Sequence, residues 1–479
     1  MSTRPKWFRF VLGLFVFTLI NTSLLVSHAR SQALVFPVEA TLKTAEDKTE
    51  EELMEEFFPY SSKTLPAGLD ADNLITASTY PFSVQTSVAL EDMSSGTTDL
   101  VGPALDDTAS PVTNIGFEFW FDGTRHTQFS INANGLARLG STVIGTTFNN
   151  STSGLNTVTN APKIAAYFED LCTGPNGKVH YKVVGSAPNR KLVVEWRDMK
   201  IPRESNCTAF TTFGTFQMWL FESAAMATPG RIQFVYGAGV GPSDDTDLGA
   251  SIGLQSGVAT NFASVTVSDD SVSYATANNT NLEGVAAGKS YIFTPNVPVA
   301  PSGLTFSPVT QLSIQLNWTD NATNEFGYAI YRSTDGVNYN FLTQAAADAV
   351  NFNDTDLLPG TTYHYRVHAV TEGAISSGIS GSQATNAATN DSCAGAGGLW
   401  SSTATWTDAT VPAGGDNVTI GAGCTVTVDV ASAAALSLNV AGTLQFNDAT
   451  ASTLAVTLDT TIAAGGTVQS AATGTVTTH

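Results

Sequence analysis

Residues 312–318 read LSIQLNW, residues 327–331 read GYAIY, and residues 357–370 read LLPGTTYHYRVHAV. In the first stretch apolar and polar residues alternate up to Trp318, which is the pattern of a β-strand that buries one face. The second stretch continues the pattern, and a Pro-Gly turn leads into a third alternating run. Three such strands close together in the chain predict an antiparallel β-sandwich with Trp318 in its core.

The same residues resemble a fibronectin type III domain. That family has an early core Trp, a Gly-Tyr-x-Ile strand and a Leu-x-Pro-Gly-x-x-Tyr corner, matched here by Trp318, Gly327 to Ile330 and Leu357 to Tyr363. The resemblance covers residues 299–386. It implies a spacer or binding module rather than a reaction, because a fold alone does not define a function.

The first 29 residues have the features of a secretory signal peptide. Three basic residues precede an apolar run at residues 10–26, and Ser27-His28-Ala29 follows as a cleavage signal. Cleavage after Ala33 is equally compatible. An uncleaved membrane anchor is the alternative, but the run is short for a bilayer span and is interrupted by polar residues at 21–23. We therefore expect a secreted protein, extracellular or at the cell surface, with no transmembrane span after cleavage.

The charge of the chain limits its partners. The formal net charge is −21 and only 13% of residues are charged. Nucleic acids and anionic membranes require clustered Lys and Arg, so we expect neither as a partner. Seven acidic residues lie between Glu46 and Glu56, and residues 30–79 are interpreted as an acidic leader or linker.

The four cysteines fall into two well-separated pairs, Cys172 with Cys207 and Cys393 with Cys424. In an oxidising compartment this predicts two disulfides, one in each of two modules. A predicted hairpin about Pro188 and Asn189 would bring the first pair together. Zinc is the alternative, but no pair has Cys-x-x-Cys spacing and no His lies beside them.

Residues 80–296 are predicted to form an antiparallel β-sandwich or jelly roll. Strand-like alternation recurs with turns between, as in Ile115-Gly116-Phe117, Leu192 to Trp196 and Ile232 to Tyr236, and no stretch has a long helical period. The order of these signals, with Phe121-Asp122-Gly123 and Asn134-Gly135 among them, resembles a nidogen-like extracellular module. That resemblance implies an adhesion or matrix context.

Residues 387–479 are predicted to begin a parallel β-solenoid. Val418 to Ile420, Leu436 to Leu438 and Leu454 to Val456 recur every 18 residues. The Trp400 and Trp406 region and the run from Pro412 to Ile420 resemble the first coil of bacterial surface β-helix proteins. A solenoid needs a polar terminal cap, and we find none before His479, so we hypothesise a longer protein or a partner that covers the edge.

Two acidic loops could bind calcium, since carboxylate oxygens are its preferred ligands. One contains Glu169 and Asp170, and the other contains Asp244, Asp245 and Asp247. Neither has the spacing of a dedicated calcium loop, and solvated surface acids are the alternative. No other cofactor and no catalytic residue is predicted.

Three aromatic residues are candidates for ligand binding. Trp120, Trp219 and Phe221 fall on the strand face opposite the expected core, where rings can stack on sugars. The alternative is that a loop or neighbouring module covers them.

These features favour an all-β, multi-domain, secreted bacterial protein that binds an extracellular glycan or protein in an adhesive or structural role. The alternative is a secreted carbohydrate-active enzyme with an accessory fibronectin type III domain and a catalytic β-helix mostly beyond residue 479. A groove of convergent acidic residues along the solenoid would favour the enzyme.

Overall fold

The computed structural model describes residues 80–201, 207, 213–223, 229–241, 249–447 and 451–470. These residues are almost entirely strands and turns, so the predicted all-β fold class is confirmed. Within the same ranges no helix has the length and apolar character needed to span a bilayer. The predicted signal peptide and acidic leader lie outside the described residues.

The first module is an antiparallel sandwich of two seven-stranded sheets. Its strands are β1 Phe82–Gln85, β2 Thr98–Val101, β3 Thr113–Phe121, β4 Thr124–Ile131, β5 Leu136–Leu139, β6 Lys163–Phe168, β7 Cys172–Val184, β8 Lys191–Lys200, β9 Gly214–Phe221, β10 Ile232–Tyr236, β11 Ser251–Gln255, β12 Phe262–Thr266, β13 Ser271–Ser273 and β14 Ser290–Phe293. One sheet has the order β1-β14-β10-β9-β8-β7-β2, and the other has the order β13-β12-β11-β6-β5-β4-β3. One helical turn, α1 Asn150–Ser153, is capped by the Asn149 side chain.

The core of this sandwich lies between the two sheets and is rich in aromatic rings. Alternate residues of each strand point inward, as the sequence pattern predicts. Trp196 stacks on Phe216 with ring centroids 5.3 Å apart. The hydroxyl of buried Tyr236 donates a 2.7 Å hydrogen bond to the Ala166 carbonyl on the opposite sheet, which satisfies the polar end of the ring.

A covering segment crosses the outer face of the first sheet. β1 and β2 are consecutive in the chain but occupy opposite edges of that sheet, so residues 86–97, here called the strap, must pass over the strands between them. Met93 of the strap is buried against Trp219 and Val235. The strap therefore buries part of this outer face away from solvent.

The second module is a smaller antiparallel sandwich. Its strands are β15 Ser302–Val309, β16 Ile314–Thr319, β17 Gly327–Ser333, β18 Asn340–Ala345, β19 Asn351–Asp354, β20 Thr362–Val370 and β21 Ile379–Ala384, in sheets ordered β15-β16-β19 and β18-β17-β20-β21. Trp318 packs on Tyr328 in the core, with ring centroids 5.4 Å apart. The Tyr363 hydroxyl accepts a 2.9 Å hydrogen bond from the Leu358 amide and fixes the corner.

The third module is built from parallel strands. They are β22 Asn390–Ser392, β23 Gly397–Leu399, β24 Asn417–Ile420, β25 Thr425–Val428, β26 Ser432–Ala435, β27 Ser437–Val440, β28 Thr443–Phe446, β29 Thr453–Val456, β30 Thr460–Ile462 and β31 Thr467–Ser470, with a 3-10 turn at Thr403–Thr405. They form three parallel sheets, β22-β24-β27-β30, β23-β25-β28-β31 and β26-β29. Successive coils thus stack as in the predicted short solenoid, over a core that begins with Trp400 and Trp406.

The fixed 18-residue period predicted for this solenoid is wrong. Thr425 pairs with Thr443, as that period requires, but Thr443 pairs with Thr467. Leu454 to Val456 pair with β26 and not with the strand that holds Leu438. Coils of unequal length still stack because strand pairing aligns them and the corner turns absorb the extra residues.

Both predicted disulfides are present. Cys172 bonds to Cys207 and Cys393 bonds to Cys424. The first holds the start of β7, and the second ties the end of β22 to the residue before β25. Each disulfide therefore closes a loop inside one module, as the spacing predicted.

Candidate functional site

The three aromatic residues predicted to bind ligand are buried. Trp120, Trp219 and Phe221 are 0%, 8% and 6% exposed. They do lie on the strand face opposite the main core, as the alternation indicated, but other parts of the chain cover that face. Rings this shielded cannot stack on a sugar, so their assignment to an open ligand face is corrected.

Trp120 is covered by the second module. It belongs to a separate buried cluster with Ala329, Tyr331, Val370 and Ile375, and its ring centroid lies 6.1 Å from that of Phe341. We call this contact between the two sandwiches the junction.

Trp219 and Phe221 are covered by the strap and by cations. The Lys191 ammonium lies 3.6 Å from the Trp219 ring centroid, and the Arg231 guanidinium lies 3.8 Å from that of Phe221. Trp219 Nε1 donates to Gln217 Oε1 at 2.8 Å. These rings have their polar and apolar partners within the chain.

A buried polar row fastens the strap to the sheet. His180 Nε2 lies 2.8 Å from Glu195 Oε1, and Glu195 Oε2 accepts from Gln217 Nε2 at 2.5 Å. The Gln217 side chain also accepts from the Glu91 amide and donates to the Glu91 carbonyl, both at 2.9 Å. The Lys191 ammonium adds a 2.8 Å ion pair to the Glu91 carboxylate. The row explains why charged residues can lie beneath the strap: each of these contacts satisfies polar atoms.

The clearest group of potential ligand atoms lies at one end of the first sandwich. Asp106, Asp107 and Asp170 each place a carboxylate oxygen within 4.8 Å of the other two. Of the predicted calcium residues, Asp170 is therefore part of a cluster, whereas Glu169 is 1% exposed and lies outside it. Asp244, Asp245 and Asp247 lie outside the described residues. We call these three aspartates the acidic end.

Local structure positions the acidic end. Asn134, just after β4, donates to Asp107 Oδ1 at 2.9 Å and accepts from the Leu171 amide at 2.9 Å. Asp106 forms a β-bridge with Cys172, whose disulfide holds the same region. Next to it, burial and the nearby Glu169 carboxylate raise the pKa of Tyr167 well above its usual value. Its hydroxyl keeps its proton and donates to the Gly241 carbonyl at 3.2 Å.

Three carboxylates at this spacing could supply part of the coordination shell of a calcium ion, which takes six to eight oxygens. Sequence reasoning missed Asp106 and Asp107. Their adjacency was the available signal, but nothing in the sequence showed that the loop before β3 meets the start of β7.

A second carboxylate group lies in the smaller sandwich. Asp320, Glu325 and Asp348 also place one oxygen each within 4.8 Å of the others. Part of this group serves the fold, because Asp320 accepts from the Ala322 amide at 3.0 Å and Glu325 accepts from the Asp348 amide at 3.0 Å.

Comparison with protein families divides the chain into three parts. Residues 79–295 match the NIDO-related family, residues 299–382 match the fibronectin type III domain, and residues 405–475 match the G8 domain. The search of curated proteins gave no significant match.

Solved structures similar to this chain include a fibronectin type III domain of human collagen XX, at 28% identity, covering 18% of this chain and 90% of that one with a TM-score of 0.17. The protein FN3tt matches at 26% identity, covering 19% of this chain and 98% of that one, again with a TM-score of 0.17.

The fold and the family matches together define a multi-domain protein built from extracellular-type modules. In chain order, a sandwich that matches the NIDO-related family is followed by a sandwich that matches the fibronectin type III domain and by parallel sheets that match the G8 domain.

Proposed function

We propose that this is a secreted bacterial protein of the cell surface or extracellular matrix, in which a rigid pair of sandwiches presents a ligand-binding end to a glycan or protein. The observation that carries the proposal is the junction. A buried contact between neighbouring modules suits a protein whose work is to hold a binding surface at a fixed distance and angle.

The junction combines apolar packing with hydrogen bonds between the two sandwiches. The Gln344 side chain donates to the Gly123 carbonyl at 3.0 Å, and the Gly123 amide donates to the Glu372 carbonyl at 3.3 Å. The Tyr331 hydroxyl donates to Glu118 Oε2 at 2.5 Å, while Glu118 Oε1 pairs with Arg125 at 2.6 Å. Breaking this contact would expose both an aromatic cluster and several polar groups, so we expect the two modules to move as one body.

The acidic end is the surface we assign to ligand binding. Exposed apolar side chains flank its three aspartates: Leu105 is 39% exposed and Phe148 is 37% exposed. Asn134 links the two features, since its side chain donates to both Asp107 and the Thr147 carbonyl. A polar group beside exposed apolar surface on a disulfide-held loop is typical of recognition sites.

The test is a binding screen of the purified secreted protein against a glycan array and extracellular matrix proteins, with calcium and with EDTA. We expect binding that falls at least tenfold when Asp107 and Asp170 are both replaced by Asn. The matched control is Asp459→Asn, which changes an exposed aspartate of the solenoid and should leave binding unchanged.

The same samples should be incubated with polysaccharides and analysed for chain shortening. Depolymerisation would overturn the adhesive proposal in favour of the enzyme alternative. Binding that survives the double Asn substitution would show that the ligand surface is not the acidic end.

A further inference from the structure

Three of the six aspartates in residues 387–479 come together where the fibronectin type III sandwich meets the solenoid. Asp391 lies on β22, Asp408 lies in the loop after the 3-10 turn, and Asp416 lies just before β24. The Gln311 side chain of the sandwich donates to Asp416 Oδ1 at 2.8 Å. The group therefore forms part of the contact between the two modules.

The three carboxylates differ in their hydrogen-bond donors. Asp416 Oδ2 accepts from the Ala413 amide at 2.8 Å, and Asp408 Oδ1 accepts from the Thr410 amide at 3.0 Å. Asp391 is 0% exposed, and among the described residues no N–H or neutral hydroxyl donates to either of its oxygens. Asp391 pairs in register with Val418, two residues after Asp416, and the Thr407 amide, next to Asp408, donates to the Ser392 carbonyl at 2.9 Å, so the backbone brings the three aspartates together.

Within the part of the chain that the structure describes, no basic side chain acts on Asp391 to balance these charges. Residues 387–478 contain no Lys, Arg, His or Glu, and both cysteines are in a disulfide. In the sandwich, Arg332 pairs with Asp354 at 2.9 Å and Arg366 lies over the Tyr339 ring. Gln311, the contact from that side, is neutral. A buried carboxylate beside two others is strongly disfavoured in its charged form.

We propose that Asp391, Asp408 and Asp416 form a pH-sensitive switch, in which Asp391 holds a proton shared with its two neighbours and loss of that proton loosens the first coil and its contact with the sandwich. The shared proton supplies the hydrogen bond that no other donor provides. When the proton leaves, the like charges repel across β22 and the loops that precede β24.

The expected pH dependence follows from linkage. Burial, with hydrogen bonding to Asp408 and the charge of Asp416, raises the pKa of Asp391 to about 7, whereas a solvated aspartate has a pKa of about 3.9. The folded first coil therefore binds a proton that the opened state does not. Its stabilisation is complete below about pH 4 and is lost as the pH rises towards 7, by up to about tenfold in the opening equilibrium per pH unit.

The experiment is hydrogen–deuterium exchange of the full secreted chain between pH 4.5 and 8, read in peptides from residues 387–420 and corrected for intrinsic exchange. In the wild type we expect opening to increase at least tenfold over this range. Asp391→Asn keeps the shape, removes the charge and offers an amide donor, so its opening should be flat with pH and lower than wild type at pH 8. The matched control, Asp459→Asn, should follow the wild type.

A flat wild-type profile, or an Asp391→Asn profile with the wild-type slope, would overturn the proposal. Each profile is also measured in calcium and in EDTA. Calcium protection that requires Asp391, together with a flat profile in EDTA, would mean that a metal ion and not a proton balances the cluster. If Asp391→Asn does not fold, the wild-type profile in EDTA still tests the proposal: opening that rises with pH supports it, and a flat profile overturns it.

Discussion

At Trp120 and Trp219 the same strand alternation leads to two different environments. Each ring points away from the main core, but one is covered by a second module and the other by the strap. Strand periodicity tells which face of a sheet a residue takes, and it does not tell what lies against that face. Whether an aromatic residue on the outer face of a sheet is exposed therefore depends on which other part of the chain packs against that face.

Asp335 provides a residue-scale prediction in the β17–β18 hairpin. Its Oδ1 accepts from the Val337 and Asn338 amides, each at 2.8 Å, and these hydrogen bonds lower its pKa well below the usual value. The stabilisation is present above about pH 4, the pKa of a free aspartate, and is lost as the pH falls through the lowered pKa. We expect Asp335→Asn to increase hydrogen exchange in residues 333–342 severalfold at pH 6.

Measuring the same peptides at pH 2 provides the check. The difference between Asp335→Asn and wild type should shrink there, because a free aspartate is protonated at pH 2 and opening of the turn is then favoured by proton uptake. A difference that stays constant from pH 6 to pH 2 would mean that the charge of Asp335 does not hold the turn.

At the scale of elements, residue patterns predicted the strands well and their neighbours poorly. Local alternation and turn residues were sufficient for the fibronectin type III strands, because Trp318, Tyr328 and Tyr363 are fixed by contacts within one small sandwich. Of the acidic end, Asp170 was a predicted candidate but Asp106 and Asp107 were missed, because Asp106 and Asp170 meet only when β7 folds against the loop before β3. The pairing of solenoid strands also depends on three-dimensional contacts between coils of unequal length. For that reason the 18-residue period did not predict the strand partners.

The strap yields a prediction about a single element. Gln217 holds the Glu91 backbone through two hydrogen bonds, and Gln217→Leu would remove both while leaving the Glu91 amide and carbonyl without this partner, at about 1–3 kcal/mol. We expect hydrogen exchange in residues 86–97 to rise at least tenfold.

The control for the strap is Gln233→Leu. Gln233 is also buried on the outer side of the sheet, but its side chain donates to Ser290 at 2.9 Å and not to the strap. Equal exchange of the strap in the two variants would contradict a specific role for Gln217.

At the scale of the whole molecule, the junction determines whether the protein behaves as a rigid presenter or as loosely linked modules. Glu372 illustrates how closely the modules meet: it is 0% exposed, its backbone carbonyl accepts from the Tyr80 hydroxyl, and its carboxylate accepts from the Asn296 amide at 2.8 Å. Burial raises the pKa of this carboxyl above its usual value. The interface is thus specific in shape and in polar contacts.

Gly230 is the position that tests this rigidity. It has a φ of +68°, and a Cβ there would lie 1.7 Å from the Gly373 carbonyl oxygen across the junction. Backbone cannot yield locally, so Gly230→Ala should separate the two sandwiches. Small-angle X-ray scattering should show a larger radius of gyration and a broader distribution of conformations.

Gly96→Ala is the matched control for this substitution. Gly96 has nearly the same φ, +69°, but a Cβ there meets nothing within 4 Å. It carries the same backbone strain without the clash, so its scattering should match the wild type. If both variants scatter alike, the close approach at Gly230 does not hold the modules together.

The strap also sets an order of events during synthesis. Among the described strands β1 pairs with β14 alone, so this edge of the sheet cannot form until Phe293 has been synthesised. Contacts this distant in sequence form slowly, because a long loop must close first. β14 begins 69 residues after Phe221, so the strap that covers Trp219 and Phe221 lacks the anchor at its β1 end until those residues have emerged. A chaperone that shields apolar surface would find its target there.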